Sequence, residues 1–147
     1  MCRKQKFERL LVPWCTYTDP EIAHVGLYEE DAPGCDVYVT HFSDVDRAIL
    51  DGDTRGFVKI LCKRGSDKII GATVVHERAG DLISEVSTAI EAKMGLRDLA
   101  GVIHPYPTVA DAIRRCGDAC NRKRLTNTAK AMLRGILEIR RGAAKIL

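Results

Sequence analysis

An α+β fold, with an antiparallel sheet of about four to five strands packed with helices, is predicted by three observations. Residues 56–75 carry the pattern of a β-hairpin, the apolar period changes from two to 3.6 after Gly80, and strands precede helices without the alternation of a parallel sheet.

Taken in order, residues 1–10 read as a polar leader, or the remnant of a missing N-terminal portion, with Phe7 and Leu10 its only large apolar side chains. The β-formers Leu11–Thr18 open the first strand, and Asp19-Pro20 stops it. Ile22–Leu27 alternates as a second strand. Tyr28–Ala32 suits a short helix closed by Pro33-Gly34, and Val37, Val39 and His41 alternate with Asp36, Tyr38 and Thr40 as a third strand. Residues 56–63 and 68–75 flank Arg64-Gly65-Ser66-Asp67, where Gly supplies positive φ and Ser and Asp bond to the backbone, so these segments form the hairpin. Leu82, Ile83, Val86, Ala89, Ile90 and Met94 make one helical stripe ending at Gly95. A short turn of helix follows over Leu96–Leu99. Thr108 with Asp111 resembles a capping box opening a helix to about Arg122, and Ala129, Met132, Leu133, Ile136 and Leu137 form an apolar stripe in a basic tail. The expected organisation is a leader (1–10), a folded body (11–125) and an amphipathic helical tail (126–147).

Composition narrows the classes. Hydrophobic residues make up 46% of the 147 and charged residues 29%, values of an ordinary globular chain. No apolar run approaches the roughly 20 residues of a membrane span, and the first residues lack the apolar segment of a secretory signal; neither a membrane-spanning nor a secreted protein is expected. Residues 1–120 hold 15 Lys+Arg against 19 Asp+Glu, whereas residues 121–147 hold 8 against 1. The basic character belongs to the tail, so no nucleic-acid-binding body is expected. Docking of the tail's apolar stripe on the body is preferred over membrane contact, because a short isolated helix is marginal in water. Six cysteines without C-x-x-C spacing read as reduced thiols, which suits the cytoplasm or another reducing compartment, unless a targeting segment accompanied an N-terminal portion. There is no G-x-G-x-x-G after a strand, no phosphate-binding G-x-x-x-x-G-K-S/T and no H-E-x-x-H, so the chain encodes no self-sufficient dinucleotide enzyme.

Two constellations remain. Cys116 and Cys120 lie one helical turn apart; with two further ligands they would suit a soft metal, but with no histidine within a few residues they read as small buried hydrophobes. His104-Pro105-Tyr106-Pro107-Thr108 holds two prolines in three residues, which fixes the chain extended and raises the chance of a cis Tyr106–Pro107 bond. From composition it is a pre-organised site or simply a stiff loop. His24, His41 and His76, in or beside strands, read as hydrogen-bonded or surface residues.

The run Pro13-Trp14-Cys15-Thr16-Tyr17-Thr18-Asp19-Pro20-Glu21-Ile22-Ala23-His24-Val25-Gly26-Leu27 resembles the opening of the C-terminal dimerisation (interface) domain of FAD-dependent pyridine nucleotide-disulfide oxidoreductases. The resemblance continues through Asp46-Arg47-Ala48, residues 56–59 and 69–75, Ala79–Glu85 and the strip 104–111, covering about residues 11–125. It implies a FAD/NAD-linked reductase dimerisation-domain-like fold, a homodimer, and a module that completes the partner subunit's active site.

In that family the strip is H-x-H-P-T-x-x-E: the second His is the acid–base beside the redox cysteines and the Glu orients it. Here the resemblance places His104 at the first His, Tyr106 at the acid–base His, Pro107-Thr108 at the Pro-Thr and Asp111 at the Glu. It makes Tyr106 and Asp111 the candidate catalytic positions, turns His104, Tyr106 and Pro107 toward the partner's FAD, and puts His104, Thr108 and Asp111 at the interface. A phenol of reference pKa near ~10 does not shuttle protons at neutral pH as an imidazole near ~6.5 does, although it can donate a hydrogen bond or line a metal–thiolate site. Tyrosine at this place resembles the mercuric-reductase-like branch, but the tail lacks the vicinal cysteines of mercuric reductases proper, so mercury is not inferred. FAD and NAD(P)H are expected in a full-length enzyme, with the missing N-terminal domains, and none in the isolated chain. The alternatives are a stand-alone module that dimerises or binds metal through thiols, and a peripheral binder using residues 121–147.

Overall fold

The computed structural model describes residues 10–124, together with 132 and 134–137. Strands β1 (Trp14–Thr16), β2 (Glu21–Gly26), β3 (Asp36–His41), β4 (Phe57–Cys62) and β5 (Ile69–His76) form one antiparallel sheet in the order β1-β2-β5-β4-β3. The helices are α1 (Asp46–Asp51), α2 (Ala79–Glu91), α3 (Leu96–Gly101) and α4 (Asp111–Arg124). The α+β prediction is correct, and the strand-then-helix order holds except for α1, which lies between β3 and β4.

Cross-strand register organises the core. Directly opposed residues of an antiparallel pair point to the same face. Pairing therefore links Thr40, Val58, Val74 and Ala23 into one row, and Tyr38, Ile60, Ala72 and Val25 into the next. All eight are buried. Helix α2 lies over β2 and β5 with Leu82, Ile83, Val86 and Ala89 buried, as its stripe predicts, and α4 lies over β3 and β4 with Ala112, Ile113, Cys116 and Cys120 buried. This corrects the phase of the third strand: Tyr38 and Thr40 face the core and Val39 is exposed, because the register to Val58 and Ile60 outweighs local hydrophobicity. Thr40 remains satisfied inside, its Oγ1 lying 3.2 Å from the Cys116 Sγ.

Two glycines permit close approach. A Cβ at Gly56, where φ is +87°, would strike the Val75 carbonyl, and one at Gly117 would meet the Leu96 carbonyl and the Ala100 side chain where α3 crosses α4.

Residues 28–34 form turns in place of the expected short helix. Asp31 Oδ2 accepts the Tyr28 N–H at 3.3 Å, and the Tyr28 ring stacks on His24 at 3.9 Å, which holds the segment to the sheet. Residues 42–51, which carry no clear period, form a 3₁₀ turn (Phe42–Asp44) and α1, anchored by buried Phe42, Val45 and Ala48. The Thr108 capping box is not made: its Oγ1 donates to the Pro105 carbonyl at 2.8 Å, and α4 begins at Asp111. Met132, Ile136 and Leu137 are exposed, so the expected docking of the tail stripe is not seen at its described members; α2 and α4 already cover the body's apolar face. The leader positions 1–9 and the tail positions Ala129 and Leu133 lie outside the described residues. Among the described residues no helix is long and apolar enough to cross a membrane.

Ile113 is fully buried on α4 and Ile49 half-exposed on α1. Ile113→Ala is expected to cost about 2–5 kcal/mol in urea denaturation and Ile49→Ala within about 0.5 kcal/mol; equal costs would contradict the placement of α4 over the sheet.

Candidate functional site

The strip between α3 and α4 is held at both ends. His104 contacts the Val102 carbonyl through Nδ1 and Glu85 Oε1 through Nε2, both at 2.9 Å, and its side chain is only 7% exposed. With both ring nitrogens engaged, it ties the strip to α2. The Tyr106–Pro107 bond is cis, as is Asp19–Pro20. Thr108, bonded to Pro105, closes the loop.

This anchoring leaves the strip's large side chains outside. Ile103 is 94% exposed and Tyr106 72%. Tyr106 does not bond to Asp111; its hydroxyl donates to Asp46 Oδ2 at 2.7 Å, across 60 residues of sequence. That hydrogen bond, reinforced by the negative charge of Asp46, holds the phenol above its ordinary value near ~10. A phenol held in this way keeps its proton near neutral pH.

Asp111 is 6% exposed and lies on the other side of this pair. Arg114 and Arg115 reach it from one turn along α4, Arg114 Nε to Oδ1 at 2.7 Å and Arg115 Nε to Oδ2 at 2.6 Å. Burial alone would raise its pKa; the hydrogen bonds from Arg115 and Arg114 outweigh that and hold it below the usual carboxylate range. Arg114 continues to Asp118 at 2.6 Å, and Arg115 Nη2 lies 3.7 Å from Asp46 Oδ1. The expected dyad of positions 106 and 111 is thus replaced by a sequence of contacts running Tyr106–Asp46–Arg115–Asp111–Arg114–Asp118. The same arginines border a groove of about 660 Å³ between β3 and α4, where Asp44 and Asp118 accompany them.

The thiols are placed differently. Cys116 and Cys120 are buried, and burial pushes the Cys116 thiol up to about 11 and that of neighbouring Cys62 up to about 12. Among the described residues no group of three or more His, Cys, Asp or Glu side chains is arranged to hold a metal ion. His24 is bonded to Thr73 and the Gly26 carbonyl and stacked on Tyr28, and His41 is exposed beside Phe57. His76 is buried against Phe42; its Nδ1 accepts the Arg78 N–H, and burial lowers its pKa.

Sequence reading did not single out Asp46 or Glu85 as partners of the strip. Arg114 and Arg115 were also missed, although their place three and four residues after Asp111 is a helical ion-pair spacing that could have pointed to them; contacts across 60 and 19 residues have no local signal.

A family model described as pyridine nucleotide-disulphide oxidoreductase, dimerisation domain, matches residues 12–116. A dihydrolipoyl dehydrogenase of Buchnera aphidicola subsp. Schizaphis graminum is 37% identical over 115 residues, covering 76% of this chain and 24% of that protein. A mercuric reductase of Streptomyces lividans is 38% identical over 109 residues, covering 70% and 23%. The crystal structure of LpdA from Mycobacterium tuberculosis superposes with a TM-score of 0.70 at 26% identity, covering 74% of this chain and 25% of that one. The chain spans about a quarter of the length of the curated relatives it matches.

The ionised form of Asp111 is bound better in the folded chain than in the unfolded one, where its pKa is near ~3.9. Its contribution is therefore complete above that value and lost as pH falls through the lower folded value. Asp111→Asn is expected to cost about 1.5–3 kcal/mol at pH 7, with the gap closing below about pH 4 in urea denaturation; a gap of constant size across pH would refute the assignment.

Proposed function

Because this chain belongs to the pyridine nucleotide-disulphide oxidoreductase dimerisation-domain family, we propose that it pairs two subunits of an FAD- and NAD(P)H-dependent oxidoreductase. In this reading it adds one wall to the partner subunit's active site. The body at 11–125 is the interface unit, and the compartment is a reducing one.

The observation that carries this reading is the strip itself. A proline-rich loop tied down by His104 and Thr108 presents Ile103 and Tyr106 outward, both largely exposed in the single chain. Exposed apolar side chains on a rigid support fit an interface that a second copy covers. Tyr106 and Pro107 provide the wall, while His104, Thr108 and Asp111 set its position from behind.

The residues present fit FAD and NAD(P)H only as such a wall, because this sequence holds neither a G-x-G-x-x-G turn nor a C-x-x-x-x-C pair. When bound, FAD carries electrons from NAD(P)H toward a redox disulfide and an acceptor. Toward that chemistry this chain excludes water with Ile103 and Pro107 and holds a proton on the Tyr106 oxygen. Tyr106 retains that proton at neutral pH, so the wall supports an acceptor that needs no imidazole base at this place. By this reading the isolated chain has no redox activity.

Sedimentation of the chain over a concentration series is expected to show association, and Ile103→Asp to weaken it about tenfold or more without altering the fold. A monomer at every concentration would overturn the pairing. Stoichiometric, tightly bound flavin in the purified chain would overturn the assignment of FAD to another part of the enzyme.

A further inference from the structure

We infer that Asp46 is the positioning residue for Tyr106, occupying by tertiary contact the orienting place that the family strip gives to position 111. The inference rests on the reading of Tyr106 as part of a neighbour's site and adds what orients the phenol and what it offers there.

Asp111 does not orient Tyr106 directly, since the Tyr106 hydroxyl bonds to Asp46. The Asp111 Oδ1 is held by Arg114 and its Oδ2 by Arg115, and its carboxylate is buried within α4's first turn. Asp46 is free to do so from the first residue of α1. Buried Val45 and Ala48 seat that helix, Gly52 closes it in the left-handed region, and Arg47 pairs with Asp51 at 2.7 Å. Tyr106 stands on the other anchored element, between Pro105 and Pro107. The two elements meet in one bond, Tyr106 Oη to Asp46 Oδ2. An exposed ring otherwise samples several staggered rotamers; a bond between two rigid supports selects one. Arg115 sets the carboxylate in turn, with its Nη2 toward Asp46 Oδ1 and its Nε on Asp111. Position 111 thus acts one step removed, by holding the arginine.

This geometry sets the polarity of the wall. A phenol has one O–H donor and lone pairs on the same oxygen. With the proton directed to Asp46, Tyr106 turns a lone pair outward, beside a carboxylate. The side chain then accepts from a cationic or hydrogen-bond-donating group and disfavours an anionic one.

The charged groups acting on the phenol are Asp46, Asp111 and Arg115, so NMR of the chain labelled with ¹³Cζ-tyrosine separates them. The Tyr106 resonance is assigned by its loss in Tyr106→Phe. In the wild-type chain its titration midpoint is expected above ~10. Asp46→Asn is expected to return the midpoint to about 10 and to lower ring order at pH 7, Asp46→Glu to restore both in part, and Asp111→Asn to leave the midpoint raised. An unmoved midpoint and ring order in Asp46→Asn, or an equal fall in Asp111→Asn, would overturn the assignment. Resonances of Tyr28, stacked on His24, and of buried Tyr38 report whether each variant is folded. The titration is read on a single subunit, so a chain that fails to associate refutes the functional reading and leaves this one decidable.

Discussion

The antiparallel register of β2, β5, β4 and β3 is the constraint on which the rest of the molecule depends. It stacks two rows of four side chains on one face of the sheet, and those rows determine where α2 and α4 can lie. A shift of one residue in β3 would send Tyr38 and Thr40 to solvent and remove the seat of Cys116 and Ile113. Because α4 is seated there, Asp111, Arg114 and Arg115 emerge at one end of it, beside α1. Because α2 is seated over β2 and β5, Glu85 stands where it can take His104.

The functional surface is therefore built by anchoring its neighbours. His104, Thr108 and two prolines make the strip rigid, and rigidity is what allows Ile103 and Tyr106 to remain exposed in fixed positions. The electrostatics follow the same plan. A buried carboxylate needs cationic partners, and Asp111 obtains two from its own helix; one of these then reaches Asp46. The charge relations at the strip thus begin in the interior and end on a phenol at the surface.

Most of the sheet was legible because hairpin turn chemistry and period-two alternation are local properties. The stripe of α2 was legible for the same reason. The face of β3 was not, since Val39 is more apolar than Thr40 and only pairing with Val58 puts the threonine inside. The helix α1 was not, because its six residues have no side-chain cap and are stabilised by tertiary burial of Phe42, Val45 and Ala48. Thr108 had the right spacing for a cap, but the rigid loop gave its hydroxyl a nearer acceptor at Pro105.

By itself the amino-acid order determined the α+β class, the hairpin, the two main amphipathic helices, the family, and a tyrosine where its strip has an imidazole. Each of these is a matter of neighbours along the chain or of residue type at a matched position. Tertiary structure alone decided that the tyrosine answers to Asp46, that Asp111 is bound by two arginines, and that His104 turns inward to Glu85. Those contacts join side chains from different elements. Sequence spacing says nothing about such distances until the sheet register has placed the helices that carry them.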